Sequence, residues 1–232
     1  MTPIRQKLDV RLVEMPPKSL KWPSLGLTQL KAVTKLNFKP EEVSVQIHYL
    51  NYSFAEYVGF EEFNTFTTSR VAKGHTFFEW FFRQVAFPDL PDNQVEYFRS
   101  EGLELIHMFN PAELAENRRK IQYANQLIPL MWGLEETLKR WIRDFGLDQA
   151  DIVGFSSMFS QNIPILAMAR LLKELNPSLT ILMGGSNCET PMGEELVRNF
   201  EVLDYVFSGP SLKSFPKFLT HFIEHSTEGL KH

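Results

Sequence analysis

The chain has 232 residues and a single cysteine, Cys188. One thiol cannot build a disulfide framework, and one thiolate is fewer than an iron–sulfur cluster or a cysteine-rich zinc site requires. Cys188 follows Gly185, Ser186 and Asn187, and this setting of small residues predicts part of a pocket wall rather than a reactive thiol.

Two further absences limit the location and the partners of the protein. No run of about 18 apolar residues occurs, and the amino-terminal segment lacks the charged and apolar parts of a signal peptide. We therefore expect a cytoplasmic protein without a membrane partner. The net charge of −4 and the lack of a basic run argue against nucleic acid as a partner.

The usual catalytic and metal-binding patterns are also missing. The 6 histidines are scattered, and none has a cysteine or carboxylate partner at a metal-ligand spacing. Ser156 and Ser157 lack the GxSxG setting of an esterase nucleophile, and no GxGxxG dinucleotide fingerprint occurs. We predict no catalytic residue and no protein-ligated metal.

The most informative segment runs from Asp151 to Gly209. Three short apolar runs in it each stop at small residues, and helical patterns separate the runs. This order predicts an α/β fold with a Rossmann-like parallel sheet flanked by helices. Ligands bind beyond the carboxyl ends of such strands, so the loops there predict a pocket. The candidate residues in these loops are Ser156, Ser157, Met158, Gly184, Gly185, Ser186, Asn187, Ser208 and Gly209.

Helical spacing places two helices between these strands. Pro164 fits the first turn of a helix that Asn176 and Pro177 end. A second helix is predicted to begin near Pro191. Its predicted buried residues are Met192, Leu196, Val197 and Phe200.

The amino-terminal section, residues 8 to 58, predicts a strand, a helix and a second strand. The first strand starts at Leu8 and stops before Pro16 and Pro17, because prolines cannot sustain a strand ladder. Alternating apolar residues from Val43 to Ile47 predict the second strand. The helix between them has a predicted apolar stripe of Leu27, Leu30, Val33 and Leu36. Together these elements form a βαβ unit.

The sequence also resembles a known family. The segments GFSSMFSQNIPILAMARLLKE, GGSNCETPMG and DYVFSG are similar to the amino-terminal, cobalamin-binding-type domain of the RiPP maturation radical SAM protein 1 family. These proteins modify ribosomally made peptides. Upstream, VRLVEMPP, WPSLGLTQLKAV, VSVQIHYLNYSFAEYVG and GHTFFEWFFRQVAF agree with the resemblance, which covers nearly the whole chain.

The resemblance implies cobalamin as the cofactor. The nucleotide tail would lie in a crevice beside Ser156, Ser157, Gly184 and Gly185, and a leucine at Gly185 is expected to fill it without harming the fold. Met15, Trp22 and Pro23 are either a wall for the cofactor or ordinary core residues. The loop after the first strand, MPPKSLKWPS, contains no histidine, so no histidine ligand to cobalt is expected.

Two departures from the family limit what the resemblance carries over. The family continues into a radical SAM barrel whose cluster needs three cysteines, and this chain has only Cys188. The iron–sulfur cluster and S-adenosylmethionine would therefore belong to a missing domain or to a partner. Pro210 stands where the family usually has glutamate. We expect a single domain over residues 1 to 232 that is not catalytic alone and serves a peptide C-methylating enzyme.

Two questions stay open at this point. The first is whether the chain has kept the fold but lost cobalamin, and is an interaction module for a precursor peptide or a partner enzyme. The second concerns residues 60 to 147, which predict a mostly helical insertion with dense aromatics from Phe77 to Phe82. These aromatics either pack over the sheet or cover a corrin or a neighbouring catalytic domain.

Overall fold

The computed structural model describes residues 7–68, 74–93, 97, 126 and 129–225. Its centre is a five-stranded parallel sheet with the strand order β2-β1-β3-β4-β5. The strands are β1 Leu8–Glu14, β2 Val43–Tyr49, β3 Ile152–Ser156, β4 Thr180–Gly184 and β5 Tyr205–Phe207. The chain reverses its direction of travel across the sheet between β1 and β3, and ligands bind at such switch points.

Helices cover both faces of the sheet, which confirms the predicted Rossmann-like α/β fold. They are α1 Leu25–Asn37, α2 Leu50–Val58, α3 Phe60–Thr68, α4 Gly74–Ala86, α5 Leu134–Asp144, α6 Asn162–Leu175, α7 Met192–Asn199 and α8 Ser214–His225. The helices α2 to α5 fall between β2 and β3. Helices α3 to α5 lie within residues 60 to 147, where the sequence predicted a helical insertion, whereas α2 precedes that range. Most of residues 94 to 128 of the predicted insertion lie outside the described residues.

The start of α1 is fixed by Ser24, whose hydroxyl accepts a hydrogen bond from the Leu27 backbone N–H at 3.5 Å. The predicted stripe of this helix was wrong at its end, because Leu36 is 83% exposed. Each step of three residues falls about 60° short of a full helical turn, so three steps carry Leu36 to the side opposite Leu27. Thr34, seven residues after Leu27, is buried in its place.

Alternation along the strands gives the sheet two different faces. We call one the packed face; it bears Val13 of β1 and is covered by α2, α4, α5 and α6. We call the other the open face; it bears Leu12 and is covered by α1 and α8. The register of β1, β3 and β4 continues both faces across the sheet.

The packed face holds a dense aromatic core around Phe54. The ring centroid of Phe54 lies 5.1 Å from that of Phe82 and 5.5 Å from that of Phe81. All the aromatic residues from Phe77 to Phe82 are at most 6% exposed. The aromatics of α4 therefore pack over the sheet, and they are core residues rather than a face that covers a second domain.

Two smaller details also differ from the sequence prediction. Met192 and Val197 of α7 are 53% and 39% exposed, whereas Leu196 is buried as predicted. The helix has only 8 residues, so it presents one narrow buried stripe to the sheet. Within the described ranges, every helix is too short or too polar to cross a lipid bilayer.

Candidate functional site

A slot of about 270 Å³ opens between α1 and α8 on the open face of the sheet. Leu12, Gly154 and Leu182, which are register neighbours in β1, β3 and β4, form its floor. The loops after β4 and β5 form its mouth, so the slot lies at the carboxyl edge of the sheet. Its other linings include Gly26, Leu27, Leu30, Phe207, Pro210, Ser211, Leu212 and Phe215.

Two glycines keep the slot open. A Cβ atom at Gly154 would lie 3.0 Å from a methyl carbon of Leu12, so the floor there is flat. A Cβ atom at Gly26 would meet no heavy atom within 4 Å, so the α1 wall has free space beside it. The sequence analysis missed both residues and the role of α1. A glycine inside a strand is itself a signal of close approach, and Gly154 carried that signal.

The lining of the slot is close to neutral. Of the described residues that line it, Glu189 is the single charged one, and none is a lysine or an arginine. A phosphate group would therefore find no cationic side chain in the slot. A neutral heterocycle or an amide needs no such partner. Ser156 lines the slot and its hydroxyl makes no hydrogen bond within the described residues. The slot thus offers apolar walls and a free hydroxyl.

The structure brings five of the predicted site residues together. Ser156, Gly184, Gly185, Ser186 and Gly209 all line the slot. They come from the ends of β3, β4 and β5, which are the three strand ends that the sequence singled out. The predicted pocket position and the observed slot therefore coincide at this edge.

Ser157 and Asn187 lie beside the slot and brace its loops instead of lining it. The Ser157 hydroxyl donates to Asn162 Oδ1 at 2.6 Å. The Asn187 side-chain amide donates to Ser157 Oγ at 3.0 Å and to the Phe159 carbonyl at 2.6 Å. We call this set the Asn187 brace. It holds Phe159 with a φ of 54° and its side chain 72% exposed.

Ser208 and Met158 also lie outside the lining. The Ser208 hydroxyl accepts a hydrogen bond from the Thr190 backbone N–H at 3.2 Å, so it joins the loop after β4 to the loop after β5. Met158 is half-buried, and its backbone N–H donates to Gln161 Oε1 at 2.9 Å. Both residues therefore fix the loops that surround the slot.

The three candidates from the loop after β1 do not reach the slot. Met15 is fully buried in the core of the packed face. Trp22 is 72% exposed, and Pro23 is also exposed. The helix α1 supplies the wall that the sequence analysis assigned to this loop.

Gly185 is required by the backbone itself. Its φ of +103° lies in a region that side chains rarely adopt, and a Cβ atom there would lie 2.3 Å from the Ser157 carbonyl oxygen. The expectation that leucine at this position leaves the fold intact was therefore wrong. A substitution here would separate the loops after β3 and β4.

Cys188, which the sequence placed in a pocket wall, and His48 both lie outside the slot lining. Cys188 is fully buried in the core, and burial raises the pKa of its thiol to about 12. His48 is the register partner of Val13, so it lies on the packed face, where its ring centroid is 5.3 Å from that of Phe145. No group of three potential metal-ligating side chains occurs among the residues that the structure describes.

These features define a Rossmann-like α/β protein with a nearly neutral slot at the carboxyl edge of its sheet. The chain matches no family model, no curated protein and no solved structure. The identity of the ligand is therefore inferred from the slot and from the sequence resemblance.

Proposed function

We propose that the chain binds cobalamin and is the cobalamin-binding domain of, or a free-standing partner to, a radical SAM enzyme that C-methylates a ribosomally made peptide. The observation that carries this proposal is the slot between α1 and α8, which the predicted residues Ser156, Gly184 and Gly185 line. The sequence resemblance supplies the identity of the cofactor.

The residues of the slot suit the heterocyclic base of the nucleotide tail of cobalamin, whose phosphodiester would lie outside the slot. The heterocycle of that tail is uncharged and flat, and the walls here are apolar, with Gly154 in the floor. Gly26 leaves room beside α1 that a side chain would take. In this proposal the chain holds and orients the cofactor and excludes water from the tail, while the bound cobalamin supplies methyl-transfer chemistry.

The described residues give no support to a histidine ligand to cobalt. The loop between β1 and α1 has no histidine. His48 belongs to the sheet face opposite the slot, and the side chain of His75 lies outside the described residues. We therefore propose cobalamin binding without a histidine ligand from this chain.

The proposal assigns the radical chemistry to another component. A radical SAM cluster needs three thiolates, and the single cysteine of this chain is buried. The iron–sulfur cluster, S-adenosylmethionine and the precursor peptide would be bound by a radical SAM domain or protein that docks here.

The test is retention of hydroxocobalamin after desalting, measured by visible absorption. The wild-type chain should retain the cofactor stoichiometrically. Gly26→Leu should weaken retention at least about tenfold, because the new side chain enters the space beside α1. Leucine is also the better helix former by about 1 kcal/mol, so the fold should survive.

Gly26→Ala is the matched control, since a single methyl group at this position meets nothing within 4 Å. It should retain hydroxocobalamin as the wild type does. Full retention by the Gly26→Leu protein would remove the slot from the proposal, and no retention by the wild type would remove cobalamin.

The second candidate function is an interaction module that has lost cobalamin. Exposed apolar residues in α1, in α7 and in the loops after β1, β3 and β5 favour it, because they offer a contact surface for a precursor peptide or a partner enzyme. They are Trp22, Leu25, Phe159, Met192 and Leu212. A wild-type chain that retains no hydroxocobalamin but binds a precursor peptide would support this alternative.

A further inference from the structure

Glu14, the last residue of β1, is a buried carboxylate that is only half satisfied. The residue is 1% exposed, and its Oε1 atom accepts a hydrogen bond from Gln161 Nε2 at 3.0 Å. Its Oε2 atom is buried and has no hydrogen-bond partner among the residues that the structure describes. Burial of a charged group without full hydrogen bonding costs free energy, so an unmatched oxygen here needs an explanation.

The register of the sheet places Glu14 next to the slot. Glu14 pairs with Ser156 of β3, and Ser156 lines the slot. Register neighbours in adjacent strands point to the same face and lie about 5 Å apart. Glu14 also lies two residues after Leu12 in β1, so the two residues are on the same face of the sheet, and Leu12 is in the slot floor. Glu14 is not itself in the lining, so its carboxylate lies behind Ser156 on the β1 side of the slot.

A second oxygen acceptor without a partner lies at the same edge of the sheet. Asn51 follows β2 by two residues, is 1% exposed and has an unpartnered Oδ1 atom. The ends of β1, β2 and β3 thus supply Glu14 Oε2, Asn51 Oδ1 and the free hydroxyl of Ser156. An ionised carboxylate and an amide oxygen only accept hydrogen bonds. Among the residues that the structure describes, neither Glu14 Oε2 nor Asn51 Oδ1 receives a hydrogen bond from a donor.

We propose that Glu14 and Ser156 form a hydrogen-bond-accepting end of the slot, which binds a neutral donor group of the ligand such as a primary amide. Gln161 holds only one carboxylate oxygen, and the last torsion of a glutamate side chain is soft, so Oε2 can turn toward a ligand. This inference goes beyond the cobalamin proposal, because it concerns the donor group of any ligand that enters the slot. The peripheral amides of a corrin satisfy it.

The probes are benzamide and acetophenone, which have similar shapes but differ in the N–H donors. Each is titrated into the full chain labelled with ¹⁵N, and the backbone amide signals of Ser156 and Gly184 report binding. Benzamide should bind at least about tenfold more tightly than acetophenone, since only benzamide has N–H groups that can donate to Glu14 Oε2.

Glu14→Gln tests the acceptor directly. The new side chain keeps an oxygen for Gln161 and turns its NH₂ group toward the slot, so donor faces donor. Benzamide binding should weaken about tenfold, acetophenone binding should not change, and the melting temperature should be equal or higher. Ser156→Ala should also weaken benzamide binding and leave acetophenone binding unchanged. Glu41→Gln, at an exposed position, is the matched control and should bind both probes as the wild type does.

Equal affinity of the wild type for the two probes, or no benzamide binding at all, would overturn the inference. Wild-type benzamide affinity in a folded Glu14→Gln protein would overturn it as well. Failure of the cobalamin proposal gives a different result: the wild type discriminates between the probes but retains no hydroxocobalamin.

Discussion

The two faces of the sheet differ in how completely their helices fill the space. On the packed face, the rings of Phe54, Phe81 and Phe82 are fully or almost fully buried against one another. On the open face, α1 and α8 cover the sheet but leave a slot of about 270 Å³ above Gly154. The difference indicates that the fold derives its stability mainly from one face and leaves space for a ligand on the other.

The largest expected loss of stability comes from creating a cavity in the core of the packed face. Phe54→Ala removes a ring at the centre of the aromatic core and should lower the free energy of unfolding by about 3–5 kcal/mol, as measured by urea denaturation. Phe60→Ala is the control, because Phe60 is 54% exposed and its loss should change stability by less than about 1 kcal/mol. Equal losses in the two variants would show that the packed face is not the stabilising one.

The next largest effect is a difference in stability between two glycine variants at the mouth of the slot. Gly185→Ala should cost about 2–3 kcal/mol or more, because the backbone conformation is essentially restricted to glycine and the Ser157 carbonyl is in the way. Gly184→Ala should be close to neutral, since its Cβ atom would lie at an ordinary 3.5 Å from the Cβ atom of Phe207. Unfolding curves of the two variants measure this contrast. Similar stabilities of the two variants would mean that neither the positive φ nor the Ser157 carbonyl restricts Gly185 to glycine.

The smallest effect concerns the polar edge of the packed face. Burial, and then the charge of Arg11, lower the pKa of His48 below its ordinary value of 6.5. The unfolded chain therefore binds a proton at His48 more readily than the folded chain does, and this contribution to stability falls as the pH drops below about 6.5.

His48→Gln should flatten the loss of stability between about pH 7.5 and pH 5.5, as followed by the melting temperature. His221→Gln changes an exposed histidine on α8 and is the control for the general effect of pH. An unchanged pH slope in the His48→Gln protein would contradict the assigned role of His48.

The sequence predicted the sheet and one side of the slot because both depend on local pattern. Apolar runs that end at Ser156, Gly184 and Gly209 specify strands followed by tight loops, and the parallel sheet then brings those loops to one edge. The other side of the slot depends on how α1 packs across the sheet. No local pattern fixes that distance, so Gly26 was missed and Trp22 was given a role that the fold does not place at the slot.

Glu14 shows a different limit of sequence reasoning. In the run VRLVEM an acidic residue follows apolar ones, and the same pattern fits a strand end that reaches solvent. Only the packing of Gln161 and the neighbouring strands makes this carboxylate a buried one. The alternation with Leu12 was a usable signal, since it places Glu14 on the same face of the sheet.

The Asn187 brace has a kinetic consequence. One side-chain amide ties Ser157 and the Phe159 carbonyl together before any ligand arrives, so the loops after β3 and β4 have little ordering left to do during binding. A site that is ordered in advance loses less conformational entropy on association, and association then needs no slow closing step. Ligands that fit this slot well and badly should therefore be captured at similar rates and differ mainly in residence time.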